Sequence, residues 1–434
     1  MPVRLKPNVE FRDAPNTKFA SHNASDLSPA PVMNNFREVP TVGRMFTLDA
    51  MRGGAALAVV TYHALGVAPH TALSGWQHWL PYITSYLVHF AFAGIYLFFV
   101  ISGFCIHLHW AKVRASGVHN PVINFFYFWK RRVRRLYPPY FAALALYLIY
   151  RAYQTPVEVT GFYLWDVLLH VFMLHNLDLR TTYTINGAFW TLAIEEQLYL
   201  AYFLLLFLRI RYGWTITLVL CFAARVAWLV LSRGLSESFG FHIPVTEAAA
   251  TNWFIWALGA LSVEAALGLI KLPAWCSRLS LAGVALGCAM ALAQVLPLTD
   301  QSGWVHDLGW LVMHPAWGVG FFILVNYAVA AEQRWRLKSL TGPRWIPALA
   351  SIGLISYSLY LTHSFVLMHW YWFGFTRLHI LTISLLILTP VSVAFAWLFF
   401  RVFERPFMNS VATKRPAKPA PPVEEEIGLV REVA

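Results

Sequence analysis

Long apolar segments recur along this chain, each about 18 to 26 residues in length, with short polar stretches between them. A helix rises about 1.5 Å per residue, so each segment is long enough to cross a bilayer core of about 30 Å. In a bilayer the backbone must satisfy its own hydrogen bonds, and continuous apolar runs of this length do so as helices rather than as barrel strands. The segments therefore predict an all-α polytopic membrane protein.

Composition and charge support the same class. Of the 434 residues, 58% are hydrophobic and 12% are charged, whereas about a quarter of the residues of a soluble globular domain are charged. The net charge of +12 could indicate a nucleic-acid partner. The basic residues, however, form short runs between the apolar segments, where membrane topology places them. We therefore expect a membrane-lipid environment and no nucleic acid.

The cysteines indicate neither a disulfide framework nor a metal site. They are Cys105, Cys221, Cys276 and Cys288, and all lie in or next to apolar segments without a recognisable spacing. No pair of histidines has a partnered metal-ligand spacing either. The sequence therefore predicts no metal cofactor.

The apolar pattern predicts about ten transmembrane helices. They lie near 46–66, 85–109, 137–155, 189–209, 213–232, 249–270, 280–297, 308–331, 347–370 and 378–403. An eleventh apolar segment, 162–177, is short and contains Asp166, His170 and His175.

The basic residues indicate how these segments are oriented. If 162–177 does not cross, nearly all loop and terminal Lys and Arg residues fall on one side, which the positive-inside rule makes cytoplasmic. The other side then holds Arg151, Arg180, Arg233 and Arg377. We therefore expect 162–177 to be re-entrant or interfacial, and both termini to be cytoplasmic.

The terminal segments differ from the rest in composition. Residues 1–45 and 407–434 are polar and rich in proline, a composition typical of disordered arms. The first segment also lacks the apolar core of a signal peptide. We predict a disordered cytoplasmic arm at 1–45, a transmembrane domain at 46–406 and a disordered cytoplasmic tail at 407–434.

Two ionisable residues of the first apolar segment share one helix face. Arg52 and His63 are 11 positions apart, which is three helical turns plus about 20°, or about 16 Å along the axis. Charged groups at membrane depth are costly and often functional. Asp49, one turn before Arg52, is either a structural partner of the arginine or part of the same site. His63 could alternatively be a structural histidine bonded to a neighbouring helix.

Two later segments place further titratable groups at the depth of His63 in this topology. The segment NGAFWTLAIEEQLYL contributes Glu195 and Glu196, of which only one is expected to point at His63 because adjacent residues lie 100° apart on a helix. The segment SYSLYLTHSFVLMHW contributes His363. Together they predict an intramembrane site. Ser102, followed by a glycine in FFVISGF, is more simply interpreted as part of a small-residue helix contact.

A basic run at the predicted inner interface, WKRRVRRLYPPY, contains Arg132 and Arg135 three positions apart and therefore on one helix face. Guanidinium groups bind phosphates in a bidentate way, so this pair suits an anionic partner with several phosphates. The alternative is an ordinary topology signal in contact with lipid headgroups.

Taken together, these segments closely resemble the acyltransferase 3 family of integral membrane acyltransferases, which includes O-antigen and other polysaccharide O-acetylases. The resemblance depends on LDAMRGGAALAVVTYH, FFVISGF, RRVRRLYPPY, WTLAIEEQLYL, ISYSLYLTH and FERP, which occur in family order. Departures are mild and leave the charged positions intact: Thr191 replaces a more usual serine, and Leu198 a common aromatic residue.

The resemblance implies transfer of an acyl group, commonly acetyl, from cytoplasmic acyl-CoA to a hydroxyl of a carbohydrate or lipid-linked glycan, in a bacterial inner membrane. It places the family's helix-borne arginine and histidine on Arg52 and His63, and its paired arginines on Arg132 and Arg135. Its tryptophan and glutamate fall on Trp190 and Glu195. The candidate site also includes Asp49, Ser102 and Tyr199.

From this set we expect His63 to be the general base, the three arginines to hold the acyl-CoA donor, and Glu195 or His363 to orient the imidazole or assist the leaving thiol. A transient acyl-histidine is the competing mechanism. The alternative function is a proton-coupled transporter or flippase of a small amphipathic metabolite.

Overall fold

The computed structural model describes residues 45–67, 90–154, 158–295, 304–338, 342–369 and 384–408, which form helices and contain no strand. The main helices are α1 (Phe46–Val67), α2 (Gly94–Ala115), α3 (Phe125–Gln154), α4 (Gly161–Val171), α5 (Trp190–Phe239), α6 (Ala249–Ala266), α7 (Leu279–Val295), α8 (Trp304–Leu337), α9 (Trp345–Leu354), α10 (Ser356–Leu367) and α11 (Thr389–Phe399). Shorter helical segments are His175–Leu177, Leu179–Thr182, Ala274–Ser277, Ser384–Leu388, Phe400–Glu404 and Arg405–Phe407.

Several of these helices are long and apolar enough to cross a membrane. Four meet that description: Phe90–Ala115, Trp190–Phe239, Gly309–Leu337 and Leu386–Phe407. The pair α9 and α10, which meet at a bend of 73°, would make a fifth if they form one span. The all-helical class of the described residues is confirmed and the chain is a multi-pass membrane protein. The number ten stays a prediction.

The long helix α5 is divided at Gly213. Its φ of 78° and ψ of 175° lie outside the helical region, and a positive φ of this kind favours glycine, which has no Cβ. The break lies at the boundary that the sequence predicts between the apolar segments 189–209 and 213–232.

Glycines allow close helix contacts around the site. A Cβ on Gly103 of α2 would collide with the carbonyl oxygen of Trp256 in α6. At the contact of α1 with α9, a Cβ on Gly353 would collide with the carbonyl oxygen of Asp49, and Gly53 meets the α9 backbone in the same way. The small-residue contact predicted at FFVISGF is therefore confirmed at its glycine, and α1 and α9 are held in close register.

Helix α4, from the segment 162–177, has its polarity reversed relative to a water-soluble helix. Phe162, Trp165 and Leu168 are exposed, whereas Asp166 and His170 are buried and paired, with Oδ1 and Nδ1 3.1 Å apart. An exposed apolar face fits lipid. The helix has 11 residues, about 16 Å of length, which is too short for a bilayer core of about 30 Å. These features support the re-entrant or interfacial prediction.

The sequence leaves the intramembrane charge of Arg225 unexplained, with a carboxylate such as Glu264 as a possible partner, and the structure gives Glu264 other partners. Glu264 accepts hydrogen bonds from Arg209 at 2.6 Å and from the indole Nε1 of Trp214 at 3.0 Å. It also contacts Nε2 of His107 at 3.0 Å. This buried network joins α2, α5 and α6, and Arg225 is not part of it.

Arg225 instead binds backbone carbonyls of α6 and α8. It donates to Thr251 O at 2.6 Å, to Leu311 O at 3.3 Å and to Trp310 O. Pro315 of α8 has no N–H, so it cannot donate the helical hydrogen bond to the carbonyl oxygen of Leu311, four residues earlier. Arg225 therefore satisfies the Leu311 oxygen, which the proline leaves without a helical partner, and binds two further backbone oxygens, which explains a charge at this depth.

The predicted terminal arms lie outside the described residues except at positions 45, 407 and 408. The same holds for Arg377 and for residues 370–383, which include parts of the last two predicted spans.

Candidate active site

Six of the predicted site residues line one cavity between α1, α2, α3, α5 and α10. The space in it that the centre of a water molecule can occupy is about 110 Å³. The six are Arg52, Ser102, Arg132, Arg135, Glu195 and Tyr199. The structure thus brings together the arginines of two distant segments and the glutamate of a third. An anion with several charged groups would find three guanidinium groups here.

Helix α3 sorts the basic run into two faces. Arg132 and Arg135 turn toward the cavity, whereas Arg131 and Arg134 are exposed. The guanidinium of Arg132 lies over the ring of Phe128 at 5.4 Å and over the ring of Tyr199 at 5.5 Å. These cation–π contacts fix the direction of its side chain. A mere topology signal would not require this difference between neighbouring arginines.

Glu195 lies on the wall of the same cavity. Its Oε1 accepts hydrogen bonds from Ser102 Oγ at 2.6 Å and from Tyr199 OH at 2.5 Å. Ser102 Oγ in turn accepts from the indole Nε1 of Trp256 at 3.2 Å. Ser102 is therefore more than a small residue at a helix contact. The neighbouring Glu196 accepts a hydrogen bond from Tyr137 instead. The two glutamates therefore face different neighbours, as their 100° separation on the helix predicts.

His63 and His363 form a hydrogen-bonded pair between α1 and α10. His63 Nδ1 lies 3.1 Å from His363 Nε2 and 2.9 Å from the carbonyl oxygen of Val59. His363 Nδ1 lies 3.1 Å from Leu359 O and 2.9 Å from Tyr360 O. Two residues 300 positions apart are thereby brought together in the structure.

For two neutral imidazoles, these contacts fit one arrangement of the protons. His363 Nδ1 contacts only carbonyl oxygens, so it carries the proton and its Nε2 presents a lone pair. His63 Nδ1 then faces two acceptors, Val59 O and His363 Nε2, so it must be the donor. The lone pair of His63 consequently lies on Nε2. This is the tautomer that a general base needs, with its second nitrogen oriented by a partner.

A partition separates the histidine pair from the cavity. Among the described residues, neither histidine lines the cavity, whereas Tyr360 and Phe98 do. The Tyr360 ring lies between, with its centroid 5.7 Å from that of His363 and 6.1 Å from that of Phe98. Its hydroxyl donates to Ala188 O at 3.0 Å and lies 2.5 Å from Thr191 Oγ1.

Sequence reasoning did not single out Tyr360. The signal that could have found it is its spacing, because it precedes His363 by three residues and therefore shares its helix face.

Two predicted site residues lie on α1 and α5 but outside the lining of the cavity. Asp49 is in the first turn of α1, one turn before Arg52, where its backbone meets Gly353. Trp190 begins α5 and is buried, with its ring against that of Tyr183 at 6.5 Å. Neither is among the described residues that line the cavity.

The sequence matches the profile of the family described as acyltransferase domain over residues 46–401. The chain belongs to the acyltransferase 3 family. The resemblance seen in the sequence motifs is thereby confirmed.

Curated relatives of this acyltransferase 3 chain are O-acetyltransferases. The O-acetyltransferase OatA of Staphylococcus aureus is 24% identical over 336 residues, which cover 73% of this chain and 49% of the relative. The peptidoglycan O-acetyltransferase OatA of Listeria monocytogenes is 27% identical over 179 residues, which cover 38% of this chain and 24% of the relative. The chain therefore matches about half or less of these relatives' length. No solved structure matches it.

Proposed function

We propose that this chain is a membrane-embedded O-acyltransferase that moves an acetyl group from cytoplasmic acetyl-CoA to a hydroxyl of a cell-surface polysaccharide in a bacterial inner membrane. Family membership and the names of its relatives support the reaction class. The observation that carries the proposal is the hydrogen bond between His63 and His363, whose contacts leave the Nε2 lone pair of His63 free, with Tyr360 between this pair and the cavity lined by three arginines.

The arginine-lined cavity is the proposed donor site. Arg52, Arg132 and Arg135 supply guanidinium groups that match the phosphates of coenzyme A. With both termini in the cytoplasm, the basic run of α3 lies at the inner interface, where acyl-CoA is available. The pantetheine arm would extend along the cavity toward Tyr360, because the charged part of the donor cannot readily cross the bilayer core.

His63 is the proposed general base for the acceptor. Its Nε2 takes the proton of the acceptor hydroxyl while the hydroxyl oxygen attacks the thioester carbonyl carbon. The C–S bond then breaks, and the proton moves from Nε2 to the departing sulfur. His363 Nε2 accepts the hydrogen bond from His63 Nδ1, so it stabilises the imidazolium formed during this exchange.

An acyl-histidine intermediate would use the same lone pair. In that variant His63 Nε2 attacks the thioester carbon, and the C–S bond breaks to leave an acyl-imidazolium and the CoA thiolate. The acceptor hydroxyl oxygen then attacks the acyl carbon, the C–Nε2 bond breaks to restore the neutral imidazole, and the hydroxyl proton goes to the CoA thiolate. Labelled acetate bound to the protein after acid quench in the absence of acceptor would favour this variant.

Glu195 belongs to the donor side in this proposal. Its hydrogen-bond partners, Ser102 and Tyr199, line the cavity, and the imidazole of His63 is oriented by His363 instead. A carboxylate in this position can balance the arginine charges and assist the leaving thiol.

Radiolabelled acetyl-CoA tests the function directly. The purified protein in nanodiscs is incubated with the donor and with cell-wall or surface glycan, and the label on the glycan is measured. We expect transfer by the wild type and none by His63→Ala of equal monodispersity. Label transfer by His63→Ala at the wild-type rate would overturn the assignment of the base. Movement of a metabolite across proteoliposomes without acyl transfer would favour the transporter.

A further inference from the structure

Glu404 is a buried carboxylate that the proposed reaction does not use. It ends the π-helical turn Phe400–Glu404 at the C-terminal side of α11 and is 1% exposed. A buried carboxylate is costly unless hydrogen bonds and opposite charges compensate it. Glu404 has both, from two different parts of the site.

The first partner of Glu404 is the beginning of α10. Its Oε2 accepts hydrogen bonds from the backbone N–H of Ser358 at 3.1 Å and from Ser358 Oγ at 2.5 Å. Helix α10 begins at the bend of 73° after α9, and the residue before it, Ile355, offers no side-chain cap. The N–H groups of a first helical turn have no partner within the helix. Glu404 supplies one from a distant segment.

The second neighbour of Glu404 is α3, the helix that carries Arg132 and Arg135, because the turn Phe400–Glu404 packs against it. The guanidinium charges of Arg135 and of Arg52 in α1 act on the Glu404 carboxylate. The first turn of α10 is tied to the arginine helix as well, because Tyr357 OH donates to Leu136 O at 2.9 Å. The turn that ends at Glu404 thus packs against the arginine helix, while Glu404 itself is bonded to the helix that carries His363.

The position of α10 determines whether His363 and His63 can form their hydrogen bond. His363 follows Ser358 by five residues, about one and a half turns. A shift or fraying of the first turn would move His363 Nε2 relative to His63 Nδ1, which now lies 3.1 Å away. A displacement of about 1 Å at a catalytic contact can cost on the order of 100-fold in rate.

We propose that Glu404 is a positioning residue with two separable effects: it caps α10 so that His363 meets His63, and it is the resident anion of Arg52 and Arg135 with which the donor phosphates compete. This inference rests on the proposed function. It predicts that removing the charge of Glu404 strengthens donor binding, whereas removing its hydrogen-bond acceptor slows the chemical step.

Glu332 provides a matched control. It makes the same kind of cap on α1, accepting from the backbone N–H of Thr47 at 2.8 Å and from Thr47 Oγ1 at 2.6 Å. Its charged partner is Arg336, at 2.5 Å, and it does not line the arginine cavity among the described residues. Glu332→Gln therefore removes the charge of a capping glutamate without touching the donor arginines.

The test compares E404Q, E404A and E332Q with the wild type in nanodiscs. Coenzyme A binding is measured by titration calorimetry, and kcat is measured with labelled acetyl-CoA. In E404Q the amide oxygen still accepts from Ser358, so we expect kcat within about threefold of wild type and CoA binding about 3- to 10-fold tighter, the size of a modest charge coupling. In E404A we expect kcat to fall about 10- to 100-fold. E332Q should leave CoA affinity within about twofold.

The outcomes separate this inference from the function on which it rests. Wild type that binds no CoA or transfers no label would overturn both. If the wild type is active, unchanged or weaker CoA binding in E404Q overturns the anion effect, and an equal loss of kcat in E404Q and E404A overturns the capping effect. Should E404A fail to fold, E404Q still decides, because tighter CoA binding with retained kcat is not expected of a purely structural carboxylate.

Discussion

Arg52 and His63 belong to the same helix but to two different surroundings. Arg52 faces a cavity that it shares with two more arginines and a glutamate, whereas His63 is hydrogen-bonded to a second histidine beyond Tyr360. The first region is built from charge and suits a polyanion. The second contains two imidazoles whose contacts fit neutral rings with a fixed proton arrangement. The contrast indicates a division between holding the donor and moving a proton.

The largest expected effect is at His63. We predict that His63→Ala lowers the rate of acyl transfer by at least about 1,000-fold, within the range of a lost general base. The variant has no imidazole nitrogen at this position to take the proton of the acceptor hydroxyl. CoA affinity should stay within about twofold of wild type in titration calorimetry. A parallel loss of CoA binding would mean that the two regions do not work separately.

His363 tests how the base is oriented. In His363→Leu the Nδ1–H of His63 loses its acceptor, so either tautomer becomes accessible, and we predict a fall of about 10- to 100-fold in kcat with unchanged CoA affinity. The matched variant His363→Gln offers an amide oxygen and should recover part of the rate. Equal rates for the two variants would contradict the hydrogen-bond role.

The paired arginines test the donor region. We predict that Arg132→Ala or Arg135→Ala raises the KM for acetyl-CoA about 10-fold, the value of one charge-assisted hydrogen bond, while kcat at saturating donor stays near wild type. Arg131→Ala is the control, since Arg131 lies in the same run but is exposed. A KM change in Arg131→Ala as large as in Arg132→Ala would point to general surface charge rather than to the cavity.

The smallest expected effect is a protection experiment at a native cysteine. Cys105 lines the arginine cavity, whereas Cys288 is exposed on α7, away from it. We predict that saturating CoA slows alkylation of Cys105 by about threefold or more, since an occupied cavity excludes the reagent, and leaves Cys288 unchanged. Mass spectrometry of the alkylated peptides measures both. Unprotected Cys105 would place the donor elsewhere.

Helical periodicity was sufficient for part of this site. The spacing of Arg132 and Arg135 predicts their common face, and adjacent positions predict that Glu195 and Glu196 diverge. Topology predicts that His63, Glu195 and His363 lie at one depth, but depth says nothing of lateral position. The structure brings His363 to His63, while Glu195 contacts Ser102 and Tyr199.

Other features depend on contacts between segments far apart in the chain, which periodicity does not contain. Arg225 binds three backbone carbonyls, among them that of Leu311, which Pro315 leaves without a helical partner. A carboxylate such as Glu264 was only a possible partner from the sequence. The roles of Tyr360 and Glu404 follow only once α10 is packed against α3 and the last helix. In each case the residue type indicates that the side chain requires a hydrogen-bond partner, but only the packed structure shows which group that partner is.

The proposed role of His63 as a base depends on one proton, the one inferred on its Nδ1. Nitrogen-15 NMR of histidine-labelled protein in nanodiscs at neutral pH measures it, with the His63 signals assigned by their loss in His63→Ala. We predict a pyrrole-type shift for Nδ1 and a pyridine-type shift for Nε2, which leaves the Nε2 lone pair available to the acceptor hydroxyl. A protonated Nε2 with a lone pair on Nδ1 would contradict the assignment of His63 as the base.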